Sequence, residues 1–495
     1  MKTKHDHSAP PRRAPRAPRA PRVTAAAGAL AAAAVLLGGC TMAPTYQRPE
    51  APVAGTYPAV PAAAGGSGGV APAGKPATDT GWREFFPDQR LQQLIATALE
   101  YNRDLRTAAL RIEEARAAYN IQSADRLPNL NGTLGGTRAK TPRSVSTTGA
   151  DITGTRFDAG LSISSFELDF FGRVKSLNEA ALATYLASDE ARQAAQISVV
   201  AEVAKAYFTE RAFAEQYRLA QQTYEARART YQLTQQRVEV GASSRLDLRS
   251  NETLMETARV AALTLARQRA QAENALTLLV GQAPAAAASG AMASDAAIDA
   301  MSAVPEGLPS ELLARRPDIR AAEQRLKAAN ANIGAARAAF FPRISLTAAI
   351  GSSSPDFSGL FDSGTGSWSF VPQLVLPIFD AGRNRANLNL SEVRKNLAVA
   401  DYEKTIQTAF REVADALAAR TYLGDQVAAQ RAVQDAQADR LKLLQLRFEN
   451  GVASSLDVLD AQRELFSAEQ SLVQARLLRT TSAIDLYRAL GGGLK

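Results

Sequence analysis

Apolar positions along the chain fall into an order of patterns that occurs twice. Each copy opens with apolar residues at alternating spacings of three and four: Leu105, Ala108, Ile112, Ala115 and Tyr119, then Ile319, Ala322, Leu326, Ala329 and Ile333. That spacing predicts a helix with a coiled-coil-like seam of mostly small residues. Pro128 and Pro342 end these helices. Short runs of period two follow. Ile344, Leu346, Ala348 and Ile350 share one face, as do Trp368, Phe370, Leu374, Leu376 and Ile378. In the first copy Leu161 and Ile163 alternate, then the phase slips by one to Phe166, Leu168 and Phe170, which predicts a bulge. Polar Gly/Ser/Thr loops at 139–155 and 352–367 join the strands, so each copy donates one β-hairpin, about 128–171 and 342–380. Proline-free helical stretches come next, 174–236 and 384–446, each roughly 90 Å long if unbroken. Turns at Gly241 and Gly451 reverse the chain into returning helices that end near Gly281 and Gly491.

The two copies are one duplicated unit, with a lag of about 210 residues. RVEVGASSRLD (Arg237–Asp247) recurs as RFENGVASSLD (Arg447–Asp457), and Gly172-Arg173 recurs as Gly382-Arg383. DLRTAALRIEEARAAYNIQSADRLP (Asp104–Pro128) matches DIRAAEQRLKAANANIGAARAAFFP (Asp318–Pro342). The repeats are read as 82–281 and 306–491, joined by a low-complexity linker at 282–305 and followed by a tail at 492–495.

The N-terminus changes how composition is read. A basic stretch to Arg22 precedes the apolar run Val23–Leu37 and the sequence Leu37-Gly38-Gly39-Cys40. That order is a secretory signal peptide over 1–39, too short to span a bilayer as a helix. Its ending resembles a bacterial lipoprotein signal, with Cys40, the chain's only cysteine, as the lipidated first mature residue. The covalent lipid implied is diacylglycerol and palmitate on Cys40, a firm anchor without a spanning helix. Thr41 after it is not Asp, which for Gram-negative lipoproteins implies the outer membrane. The alternatives are a buried Cys beside an uncleaved anchor, and a twin-arginine signal at Arg12-Arg13, which lacks the apolar context such signals use. Residues 40–81, rich in Pro, Gly and Ala, read as an extended tether with little to bury. Trp82, Phe85 and Phe86 after it read as an apolar plug on the body.

The formal charge of +8 belongs mostly to this leader, whose seven Lys/Arg face one Asp and leave +2 for the rest. No case for nucleic acid remains. Both histidines, His5 and His7, lie in the leader as well. The mature chain therefore lacks a histidine base or ligand, and the phosphate-loop and nucleophile-elbow patterns are missing. The expectation is no enzyme, no metal and no cofactor beyond the lipid.

Four amphipathic strands cannot close a barrel, since bacterial single-chain barrels start at eight and open edges in lipid cost several kcal/mol per unsatisfied group. Strands that enter a membrane must be pooled, and three chains would supply twelve. The competing reading is a coiled-coil lipoprotein or adhesin without a pore. Several stretches then point one way: ELDFFGR (Glu167–Arg173), GLPSELLARRPDIRAAEQRL (Gly307–Leu326), AARAAFFPRISLTAAIG (Ala335–Gly351), FREVADALAAR (Phe410–Arg420) and SSLDVLDAQREL (Ser454–Leu465). From about Cys40 to Gly493 the chain resembles the TolC-like outer-membrane factor family, in its OprM/NodT-type lipoprotein branch.

The resemblance implies an α+β membrane protein. It would be a homotrimer with a shared twelve-stranded outer-membrane β-barrel and a periplasmic α-barrel of long helices. The function implied is the exit duct of a tripartite efflux pump. Its partners would be a periplasmic membrane-fusion adaptor, an inner-membrane transporter of the resistance-nodulation-division class, and outer-membrane lipid. A metal-efflux or type I secretion duct is the alternative within the class, and the substrate is not readable here. By position, Phe448, Asp457, Asp460 and Arg463 fall where relatives line a closed periplasmic aperture. Phe448 stands where relatives often have Tyr, so any link made by that hydroxyl is absent. Asp460 and Arg463, three apart, share a helix face past the first turn. Ser454 and Asp457 fit helix capping as well as they fit the aperture. The first copy has Asp247 but Ser250 and Thr253 at the matching places, and so reads as the outer pair. The turns carrying Gly241, Ser243, Gly451 and Ser454 are the expected adaptor-docking points, or else ordinary polar turns.

Overall fold

The computed structural model describes residues 41–58, 75–283, 297–298, 301, 304–305 and 307–495. Cys40, the leader and most of the linker lie outside them. Helices α1 (Trp82–Phe85), α2 (Gln89–Tyr101) and α3 (Arg103–Ala124) precede strands β1 (Leu130–Thr141) and β2 (Ile152–Leu168). Then come α4 (Arg173–Glu239), α5 (Arg245–Val280), α6 (Pro309–Arg315), α7 (Pro317–Ala338), β3 (Arg343–Ser354), β4 (Gly366–Val375), α8 (Arg383–Glu449) and α9 (Ser455–Ala489). The duplication holds element by element. Helices α3 and α7 have 22 residues each and α4 and α8 have 67, while α5 and α9 have 36 and 35. Among the described residues no helix is long and apolar enough to cross a membrane.

The chain divides into two compact units. The smaller holds residues 128–175 and 337–378, with the strands in one antiparallel sheet of order β1-β2-β3-β4. Pairing of β2 with β3 joins the two copies' hairpins, which leaves β1 and β4 as open edges. One face is an apolar ladder: Leu161 pairs with Ile350 and that with Trp368, Ile163 with Ala348 and Phe370, Leu168 with Ile344 and Leu374. Trp368 is 79% exposed and Ile350 67%, so no described residue covers this face. The register shifts between Ile163 and Phe166, where the phase slip predicts a bulge. Ser165 takes the strain there at φ +49°. The loops are shorter than the expected 139–155 and 352–367. Residues 139–141, 152–155, 352–354 and 366–367 continue the ladders although they carry little apolar signal. The ELDFFGR stretch closes the base of this unit: Glu167 accepts a two-point bond from Arg173 and another from Arg343, and Phe171 stacks on Phe341.

The larger unit holds residues 43–127, 176–336 and 379–495. Its core gathers Phe86, Leu91, Ile95, Ile319, Leu326, Tyr402 and Tyr487, all fully buried. Trp82, Phe85 and Phe86 form the expected plug, with Phe85 stacked on Tyr487 at 3.9 Å. The seams behave unequally: Ile319, Leu326 and Ile333 are buried, whereas on α3 the positions Leu105, Ala108, Ile112, Ala115 and Tyr119 are half-buried on an otherwise exposed helix. Gly281 needs its left-handed φ of +83°, and a Cβ there would strike the Tyr101 carbonyl where Asn102 caps α3. Family-like motifs meet around Arg316, which bonds Asp318, Glu412 and the Ala489 carbonyl.

The segment after Cys40 departs from the reading of a tether with little to bury. Tyr46, Val53 and Tyr57 pack on the core, and Tyr57 stacks on Phe410. Arg48 forks onto the buried Glu323, and Asn330 donates to the Pro44 carbonyl. Three aromatic or charged residues among Pro and Ala are enough to pin it.

Candidate periplasmic gate

Both long hairpins reverse by the same local chemistry. At the second, α8 ends at Glu449, Gly451 takes φ +73°, and the Val452 amide donates to the Arg447 carbonyl at 2.8 Å. At the first, Gly241 takes φ +76° and the Ala242 amide donates to the Arg237 carbonyl at 2.7 Å. Each returning helix opens with a capping box. The Ser454 hydroxyl donates to Asp457 at 2.7 Å while the Asp457 amide donates back to that hydroxyl; Ser244 and Asp247 do the same. Ser243 adds a bond to Asp247 at 3.3 Å. These hydroxyl and amide bonds hold both carboxyls below the usual carboxylate range. Asp457 is thus engaged as a cap.

Asp460 and Arg463 meet as their spacing predicts, at 2.6 Å, and Arg463 also reaches Glu464 at 3.1 Å. The structure adds a residue that the sequence reading missed. Arg440 on α8 reaches across to Asp460 at 3.2 Å. Arg440 and Asp460 lie at equal distances either side of Asn450, so folding the sequence about that turn would have found the pair. The first hairpin has Thr230, Ser250 and Thr253 at the places of Arg440, Asp460 and Arg463, and it holds together through the buried Asn251, which donates to Thr234. The second hairpin thus has an ion pair close to its tip, whereas the ion pair that joins the helices of the first, Arg269 to Glu210 at 3.2 Å, lies farther back. Phe448 sits in the last turn of α8, 40% exposed. Farther from the tip α9 is tied to α4 at two levels. Lys205 bonds Asp485 at 3.0 Å, and Gln216 and Gln470 each donate a side-chain amide to the other's carbonyl. From Gln470 to the tip, α9 runs on for roughly 24 Å.

A sheet with an exposed apolar face and open edges, carried on a duplicated chain with paired helices of 67 residues, defines an outer-membrane channel protein of mixed α and β structure. The family model described as "Outer membrane efflux protein" matches residues 94–282 and 308–492, one match per repeat, and the chain belongs to that family. It is 49% identical over 465 residues to the antibiotic efflux pump outer membrane protein ArpC of Pseudomonas putida, covering 94% of this chain and 95% of that one. It is 48% identical over 461 residues to the outer membrane protein OprJ of Pseudomonas aeruginosa, covering 93% and 94%. The crystal structure of the open state of the Neisseria gonorrhoeae MtrE outer membrane channel superposes with a TM-score of 0.81 at 42% identity, covering 92% of this chain and 99% of that one. The chain is accordingly an efflux protein of the outer membrane whose long helices are its periplasmic part.

Proposed function

We infer that three copies of this chain assemble into the exit duct of a tripartite efflux pump, each giving four strands to a twelve-stranded barrel. The observation that carries this is the sheet, apolar on one exposed face and unpaired at both edges. In lipid those edges need partners, and further copies of the same sheet supply them. Cys40 carries the lipid that holds the N-terminus at the inner leaflet of the outer membrane. Small organic molecules, antibiotics among them, are the cargo class, in line with the antibiotic pump component ArpC. A periplasmic adaptor docks on the tips at Gly241, Ser243, Gly451 and Ser454, and an inner-membrane transporter of the resistance-nodulation-division class drives the cargo.

The duct performs no chemistry; it opens and closes. The second hairpin, stiffened by Arg440, Asp460 and Arg463, is the moving element, and the Gln216–Gln470 pair is its pivot. Phe448, partly exposed in the last turn of α8, has no hydroxyl to add a further link there. Deleting the gene in its host should raise accumulation of a fluorescent dye, and the intact chain should restore it. A Cys40→Ser chain should take up no labelled palmitate. Unchanged accumulation after deletion would contradict the efflux role.

A further inference from the structure

On α4, between the pivot and the tip, Arg227 stands apart from the other charges of the hairpins. It is only 6% exposed. One nitrogen, Nη1, donates to the Leu254 carbonyl at 3.0 Å, while Nε and Nη2 are buried without a partner. They present no surface that water or a neighbouring copy could reach. Burial, and then the like charge of Arg463, both lower its proton affinity. The packing around it is also incomplete. An open groove of about 290 Å³ lies between α4, α8 and α9, lined by Arg227, Leu441, Gln445, Gln462, Phe466 and the carboxylate-bearing Glu469. A buried cation with unmade hydrogen bonds and a cationic neighbour raises the energy of the arrangement that buries it.

We propose that Arg227 is a built-in opening bias: its burial with two nitrogens left unbonded is relieved when the second hairpin swings away from α4. This rests on the gate reading above. The Arg440–Asp460–Arg463 cluster stiffens the closed tip, and Arg227 works against closure so that the duct stays poised to open. A structural arginine would behave in the opposite way, since its loss would loosen the pair of hairpins.

The test is Arg227→Met, which keeps length and apolar packing, in the purified full chain. In planar bilayers the ratio of open to closed time should fall by about tenfold or more, and the thermal unfolding midpoint in detergent should rise. Arg227→Lys, which keeps a charge, should open more readily than Arg227→Met. A lowered midpoint for Arg227→Met would overturn the inference. So would unaltered opening of Arg227→Met while Asp460→Ala with Arg463→Ala still changes opening, a result that leaves the gate itself standing. If neither variant changes opening, both readings fall.

Discussion

Replacing Asp460 and Arg463 together by Ala removes the charge link at the second tip. Its contacts are partly exposed: the side chains of Asp460, Arg440 and Arg463 are 38%, 45% and 62% accessible. Such pairs contribute about 0.2–1 kcal/mol each. Only Arg440–Asp460 joins two helices; Asp460–Arg463 lies within α9. That bond ties the tip of α9 to α8, so its loss lets the tip splay from within the second hairpin; each tip loses about 0.2–1 kcal/mol of closure, and three acting together about 0.6–3 kcal/mol. That shifts the balance of open and closed states by about 3- to 150-fold toward open. The assay is single-channel recording in planar bilayers at 0.1 M salt, where longer open times and higher mean conductance are expected. Raising salt to 1 M shortens the screening length from about 10 to about 3 Å and should shrink the difference between variant and wild type. Arg440→Ala alone should reproduce most of the effect. If the double variant conducts like wild type at 0.1 M salt, the cluster has no part in the gate.

Arg48→Ala should free the segment 43–58 from the body. The Glu323 side chain is 7% exposed and keeps Tyr46 and Lys327 as partners, so the cost is about 1–3 kcal/mol, read as faster proteolysis near residues 45–57. The same contact sets a pH dependence. Burial opposes ionisation of Glu323, but the Arg48 hydrogen bonds and the charges of Lys327 and Arg48 outweigh it and hold its pKa below 4.5. Because the folded pKa is depressed, this contribution is complete above about pH 4.5 and is lost as pH falls below that value, so protection of the segment should decline there. Gly281→Ala, which meets both a left-handed φ and the Tyr101 carbonyl, should lower stability by about 2 kcal/mol or more, whereas Gly241→Ala, in open space, should cost about 1–2 kcal/mol. Urea unfolding in detergent separates the two, and equal effects would contradict the packing at Gly281.

Much of this fold can be read from residue order because the chain repeats its landmarks. RVEVGASSRLD and RFENGVASSLD mark the two tips, and both fold into the same glycine turn and capping box. The bulge in β2 is visible in the slip from Ile163 to Phe166, since period two has no tolerance for an extra residue. Strand ends are harder. Residues 152–155 and 352–354 are small and polar, and their ladders depend on neighbouring strands rather than on any apolar pattern of their own. The packed segment 43–58 is hidden for a similar reason: Arg48 finds Glu323 some 275 residues away, a contact with no local signature. At the second tip, the pair Asp460–Arg463 follows from helical spacing. Arg440 belongs to another helix, and the Arg227 environment is made by four helices at once.

The central claim is that open-edged four-stranded sheets are completed by three copies to make a pore. Its most direct test is planar-bilayer recording of the purified chain after separation by mass into trimer and monomer. Discrete conductance steps from the trimer fraction, and none from the monomer, are the predicted result. A silent trimer, or steps of the same size from the monomer, would contradict it.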